Sequence, residues 1–204
     1  MKTVSVNLYQ FDELSDEAKR VARDWYREQD YPVGDWFQGI FDFAIEVGTF
    51  FGMDIDRIHF SGFWSQGDGA SFTGIFRPEN MRTLAELETE LGDVPVRDTV
   101  TTLFKRFQAV KHPQKRRGYS ACVDIVRYDG RYVHSGTLDV EDFDGVYDID
   151  ELWELRSCMR GYADWIYRML DAEHTELCSD EVVDEELRAN EFWFTADGHH
   201  STLG

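Results

Sequence analysis

The chain has 204 residues, of which 42% are hydrophobic and 15% aromatic, and a formal net charge of −19. A chain of this length buries roughly 70% of its unfolded surface, so it needs neither disulfide nor metal to fold, and its aromatic content excludes a disordered chain. The charge argues against free nucleic acid as a direct ligand, because phosphate binding needs a positive surface.

Cys122, Cys158 and Cys178 are odd in number and show no CxxC spacing, which speaks against a disulfide framework and a thiolate zinc site. The opening MKTVSVNLYQFDEL lacks the apolar core of a secretory signal, and no run of 18 apolar residues occurs. The expectation is a cytoplasmic protein.

Residues 3–11 alternate Val4, Val6 and Leu8 against Ser5, Asn7 and Tyr9, as a half-buried strand does. Ser15, followed by Asp16 and Glu17, predicts a capped helix over 16–29 that ends at Tyr31-Pro32. A second helix is expected over 35–51, with a wide apolar arc. Residues 57–64 and 70–77 read as a hairpin around Ser65-Gln-Gly-Asp-Gly69, with Gly62 and Gly74 marking bulges or close backbone approach. Helices over 79–92 and 97–110 follow, then a basic loop from Lys111 to Gly118. Asp129-Gly130 between 119–128 and 131–140 signals a second hairpin. A long helix over 148–178, with Ile149 and Trp153 at the head of its apolar stripe, leads to a short helix over 179–188 and a strand at 191–195.

Hairpins alternate with helices rather than forming βαβ units. The fold class is therefore α+β: one domain over 1–204, with an antiparallel sheet of about five or six strands and helices packed mainly on one face. The N-terminal strand and both hairpins are expected in one sheet.

Charge is segregated. Lys105 to Arg117 carries six basic residues and no acid, whereas the largely helical third 139–191 holds eighteen acids and four arginines, a net −14. Its candidate partner-binding face is Glu173, Glu176, Asp180, Glu181, Asp184, Glu185 and Glu186. Such acidity serves solubility, binds cations, or meets a basic partner as a DNA-imitating surface would.

Three smaller constellations carry possible chemistry. The Gly-rich turn presents Ser65, Gln66, Asp68 and Ser71 beside backbone amides that could cradle a ligand, but it lacks the GxxxxGK[ST] and GxSxG spacings. In the frame of a calcium loop, Asp142, Asp144, Asp148 and Glu151 fall at ligand positions, but Val140 occupies the first, where Asp belongs. Ser61, His134 and Asp68 are a nominal Ser–His–Asp set. No cofactor motif occurs, so no cofactor and no catalytic residue are assigned.

Leu8-Tyr-Gln-Phe-Asp-Glu-Leu-Ser-Asp-Glu-Ala-Lys19, Phe60-Ser-Gly-Phe-Trp-Ser-Gln-Gly-Asp-Gly-Ala-Ser-Phe72, Asp164-Trp-Ile-Tyr167 and Cys178-Ser-Asp-Glu181 together resemble a family of uncharacterised bacteriophage and prophage proteins. The resemblance implies a phage accessory protein and carries over no reaction. By analogy it points to a viral inhibitor or modulator of a basic, nucleic-acid-handling host defence protein, engaged without direct nucleic-acid or membrane contact. The alternatives are a small enzyme or ligand-binding protein centred on the 61–72 turn, and a calcium-binding loop at 140–151.

Overall fold

Ser15 caps the first helix as its place before Asp16 and Glu17 predicts, its Oγ accepting from the Ala18 amide at 3.3 Å. The computed structural model describes residues 6–29, 32, 34–112, 122–128 and 130–202. In chain order its elements are β1 (Tyr9–Gln10), α1 (Asp16–Arg27), α2 (Gln38–Phe50), β2 (Met53–Ser61) and β3 (Gly69–Phe76), then α3 (Leu84–Leu91) and α4 (Arg97–Ala109). After β4 (Val123–Arg127) and β5 (Leu138–Glu141) come α5 (Ile149–Leu177), α6 (Asp180–Ala189) and β6 (Trp193–Phe194). The α+β class holds: β2-β3-β4-β5 form an antiparallel sheet against which helices pack, and β1-β6 form a second, two-stranded one. Among the described residues no helix is long and apolar enough to cross a membrane.

The chain divides into two compact units: residues 1–36 with 171–204, and residues 37–170. In the first, β1 pairs with β6 through Tyr9 and Phe194, so the N-terminal strand does not join the main sheet as the sequence led us to expect. Its short length and the buried Phe11 and Leu14 that follow commit it to a local core with Ala18, Ala22, Val183, Leu187 and Phe194. Residues 1–5 lie outside the described set.

In the second unit, α2 and the sheet enclose the larger core. Phe51 meets Phe104, Phe107 and Tyr162 edge-on at centroid distances of 4.9–5.2 Å, and the wholly buried Tyr162 hydroxyl donates to the Ala44 carbonyl at 2.6 Å. Strand β2 starts four residues earlier than periodicity suggests. Its register slips between Ile55 and Arg57, and this bulge returns Ile58 to the buried face of Met53 and Ile55. The slip hid the strand start, because it breaks the two-residue alternation. Gly74 faces Ile55 across the pair, and a Cβ there would stand 2.1 Å from the Asp54 carbonyl oxygen. The close approach expected at Gly74 is real.

The second hairpin is not the tight one that Asp-Gly signals. Arg127 pairs with Leu138, so ten residues, 128–137, connect β4 to β5, of which Asp129 lies outside the described residues. The connection instead runs against the first hairpin: the Val133 amide donates to the Gly67 carbonyl at 3.1 Å. Ile149 and Trp153, expected in the apolar stripe of α5, are 82% and 67% exposed. The buried stripe begins at Leu155 and continues through Met159, Tyr162, Ile166 and Leu170.

Candidate functional site

The Gly-rich turn joins β2 to β3, and the side of it that faces the 130–137 connection is concave. Ser61, Ser65, Gln66 and Asp68 line an open groove of about 390 Å³ together with Arg131 and Tyr132. The last two come from the β4–β5 connection, which sequence patterning had placed in a strand. No local signal could have found them, because their contribution is a tertiary pairing.

Gly67 makes the approach possible. Its φ is +92°, and a Cβ would fall 1.9 Å from the Tyr132 ring, so no other residue fits without displacing the aromatic wall. Trp64 also sits at positive φ, +66°, with 82% of its surface exposed and its ring 5.6 Å from Phe63. A left-handed bulky aromatic is strained backbone, which tends to gather where a protein binds something.

Asp68 braces the turn from within. Its Oδ2 accepts from the Ser65 amide at 2.8 Å, while the Asp68 amide donates to the Ser65 carbonyl at 3.1 Å. Replacing Asp68 by Asn keeps the acceptor and removes the charge. Denaturant unfolding of this variant should move by under about 1 kcal/mol. A loss of ligand or partner binding at unchanged stability would make the carboxylate a binding group instead. Ser71 does not belong to the groove; it is fully buried in β3, opposite His59.

The nominal Ser61–His134–Asp68 set is not assembled for proton relay. The Ser61 hydroxyl donates to the Val133 carbonyl at 3.2 Å, and His134 Nδ1 accepts from the Gly136 amide at 3.0 Å. The other strand histidine, His59, is held below its ordinary pKa by burial and by the nearby Arg127 and Arg57. His112 is likewise lowered by burial, despite its bond to the Phe107 carbonyl.

The acidic candidates separate into two groups. Asp184 binds Arg23 through both oxygens, at 2.6 and 2.8 Å, and Asp180 meets Arg27 at 2.5 Å and Arg23 at 3.3 Å. Both carboxylates therefore tie α6 to α1 rather than standing free on a face. Glu186 is half-buried and accepts from the Tyr26 hydroxyl at 3.4 Å. Glu173, Glu176, Glu181 and Glu185 are exposed. The pattern could not be read along the chain, since the neutralising arginines lie some 160 positions away.

In the 140–151 segment the carboxylates close the chain on itself. Asp142 Oδ2 accepts from the Tyr147 amide, and Asp148 and Glu151 cap each other's amides at 2.9–3.0 Å at the start of α5. Glu151 also binds Lys111 at 2.8 Å, and that hydrogen bond, with the Asp148 amide, holds its carboxyl below the usual range. Asp144 is exposed. Among the described residues no three His, Cys, Asp or Glu gather as a metal site. The basic segment is described only in part, Lys105, Arg106 and Lys111, since Lys115, Arg116 and Arg117 lie outside the described residues.

Residues 36–180 match the family described as a domain of unknown function, DUF8835, and the chain belongs to that family. No curated protein and no solved structure matches the chain. The matched stretch takes in the whole second unit and ends at the first residue of α6.

Proposed function

We propose that this protein is a non-catalytic, phage-type accessory protein that binds and modulates a basic, nucleic-acid-handling host protein through carboxylates of its first unit. The carrying observation is where the charge lies. The first unit holds eighteen acids against six basic residues, a net −12 of the total −19 in about a third of the chain. Because Asp180 and Asp184 are committed to α1, the face offered to a partner is Glu173, Glu176, Glu181 and Glu185. Such a surface accelerates encounter with a cationic partner and loses that advantage as salt rises.

Reversing those four glutamates to lysine should abolish capture of a basic partner from host lysate at low salt while leaving the thermal transition in place. Capture that survives the reversal, or that is insensitive to salt, would refute the reading. A second reading rests on the groove beside the Gly-rich turn, which Gln66, Arg131 and Tyr132 line. It makes that groove a small-ligand site, and it is the better one if Tyr132→Ala, rather than the charge reversal, removes binding.

A further inference from the structure

The start of α5 carries a feature that neither the acidic face nor the Gly-rich turn uses. Trp153 stands 67% exposed between two grooves of about 310 and 400 Å³, and Arg106 and Ser157 line both. The larger groove adds Arg156, Arg160 and the Ser135–Gly136 turn. Three guanidiniums thus line one groove with an exposed indole, on a chain that is otherwise strongly negative.

Two of the three keep their positive charge available. Arg160 donates to two backbone carbonyls, Leu138 at 3.0 Å and Gly136 at 3.3 Å, which fix its position without neutralising it. Arg106 lies against Gly161, its Nη1 3.5 Å from where a Cβ would be, and its hydrogen bond among the described residues is to the Ser157 hydroxyl, at 3.5 Å. Neither is in an ion pair among the described residues, whereas Arg156 is held by Asp139. Glu154 lines the smaller groove and Asp164 the larger, so the larger groove, with Arg106 and Arg160 against one acid, is the one that keeps a net positive charge.

We propose that this cleft binds a nucleoside phosphate, with the base stacked on Trp153 and the phosphate between Arg106 and Arg160. An exposed indole is a stacking surface for any base, and guanidiniums match phosphate oxygens in geometry and charge. Each groove has the volume of a small-molecule site. The overall charge favours a short ligand over a polymer. Salt screens charges beyond about 8 Å under physiological conditions, so a mononucleotide meets mainly the local arginines. A long strand would run out over the acidic surface.

Titrating the full-length protein into fluorescently labelled ATP should give saturable anisotropy, displaced by unlabelled ATP and AMP and weakened by salt. Trp153→Ala and Arg106→Gln should each weaken binding about tenfold, the scale of one lost stacking or charged contact, at unchanged melting temperature. Phe143→Ala, at an exposed aromatic outside these grooves and the one beside the Gly-rich turn, should change nothing. Inorganic phosphate competing as well as AMP would show that no base is read and overturn the proposal. So would binding that both variants leave intact, or no binding at millimolar nucleotide. An oligothymidylate that displaces the probe through Trp153 more tightly than AMP would keep the base-and-phosphate chemistry but identify a strand end as its source.

Discussion

Replacing Phe51 by alanine should cost about 4 kcal/mol of unfolding free energy, the scale of deleting a fully buried ring from a core that cannot collapse around the gap. Phe51 has no exposed surface and stands edge-on to Phe104, Phe107 and Tyr162, so α4, α5 and the end of α2 all lose a contact at once. Tyr162 is further pinned by its bond to the Ala44 carbonyl, which limits how far α5 can move to fill the space. Urea denaturation followed by tryptophan fluorescence measures the loss. A change under about 1.5 kcal/mol would mean that the aromatic cluster is malleable and that α5 is not held as described.

Removing either side of the Arg23–Asp184 pair should cost about 3 kcal/mol, several times what an exposed ion pair contributes. Both side chains are largely covered, at 19% and 16% exposure, and the guanidinium engages both carboxylate oxygens. Truncating one partner leaves the other charge largely covered with only a longer contact, Asp180 to Arg23 at 3.3 Å or Arg188 to Asp184 at 3.7 Å, a penalty the double variant reduces. A double-mutant cycle with Arg23→Ala and Asp184→Ala should therefore be strongly non-additive. Additivity would reduce the pair to a surface contact. Acid should weaken the same clasp. The hydrogen bond from Arg27 holds the Asp180 carboxyl below its ordinary pKa, so its contribution is full above about pH 4 and fades as the folded carboxyl protonates at lower pH.

The clasp also changes how the acidic C-terminal third is to be used. Along the chain, Asp180, Glu181, Asp184, Glu185 and Glu186 look equivalent, five carboxylates on one short helix. In the fold, Asp180 and Asp184 pair with arginines of α1, whereas Glu181 and Glu185 are exposed. Charge reversal across all five would also break the contacts between α1 and α6, so a loss of binding would not separate the two roles.

What the sequence determined by itself was local. Caps at Ser15 and Ser179, the wide apolar arc of α2 and the long stripe of α5 are set by hydrogen bonds and spacings within a few residues, so the six helices could be read from it. The first hairpin and the close approach at Gly74 were legible for the same reason. Tertiary structure decided the rest. The ten-residue β4–β5 connection gave up the tight Asp-Gly turn because its backbone pairs with Gly67, and that pairing built the groove with Arg131 and Tyr132. The N-terminal strand left the main sheet because Phe11 and Leu14 are buried against α6, far along the chain. Trp153 fits the helical period but lies outside the buried stripe, beside the arginines of α4 and α5. Periodicity records which face of a helix is apolar, and only packing decides whether that face is covered.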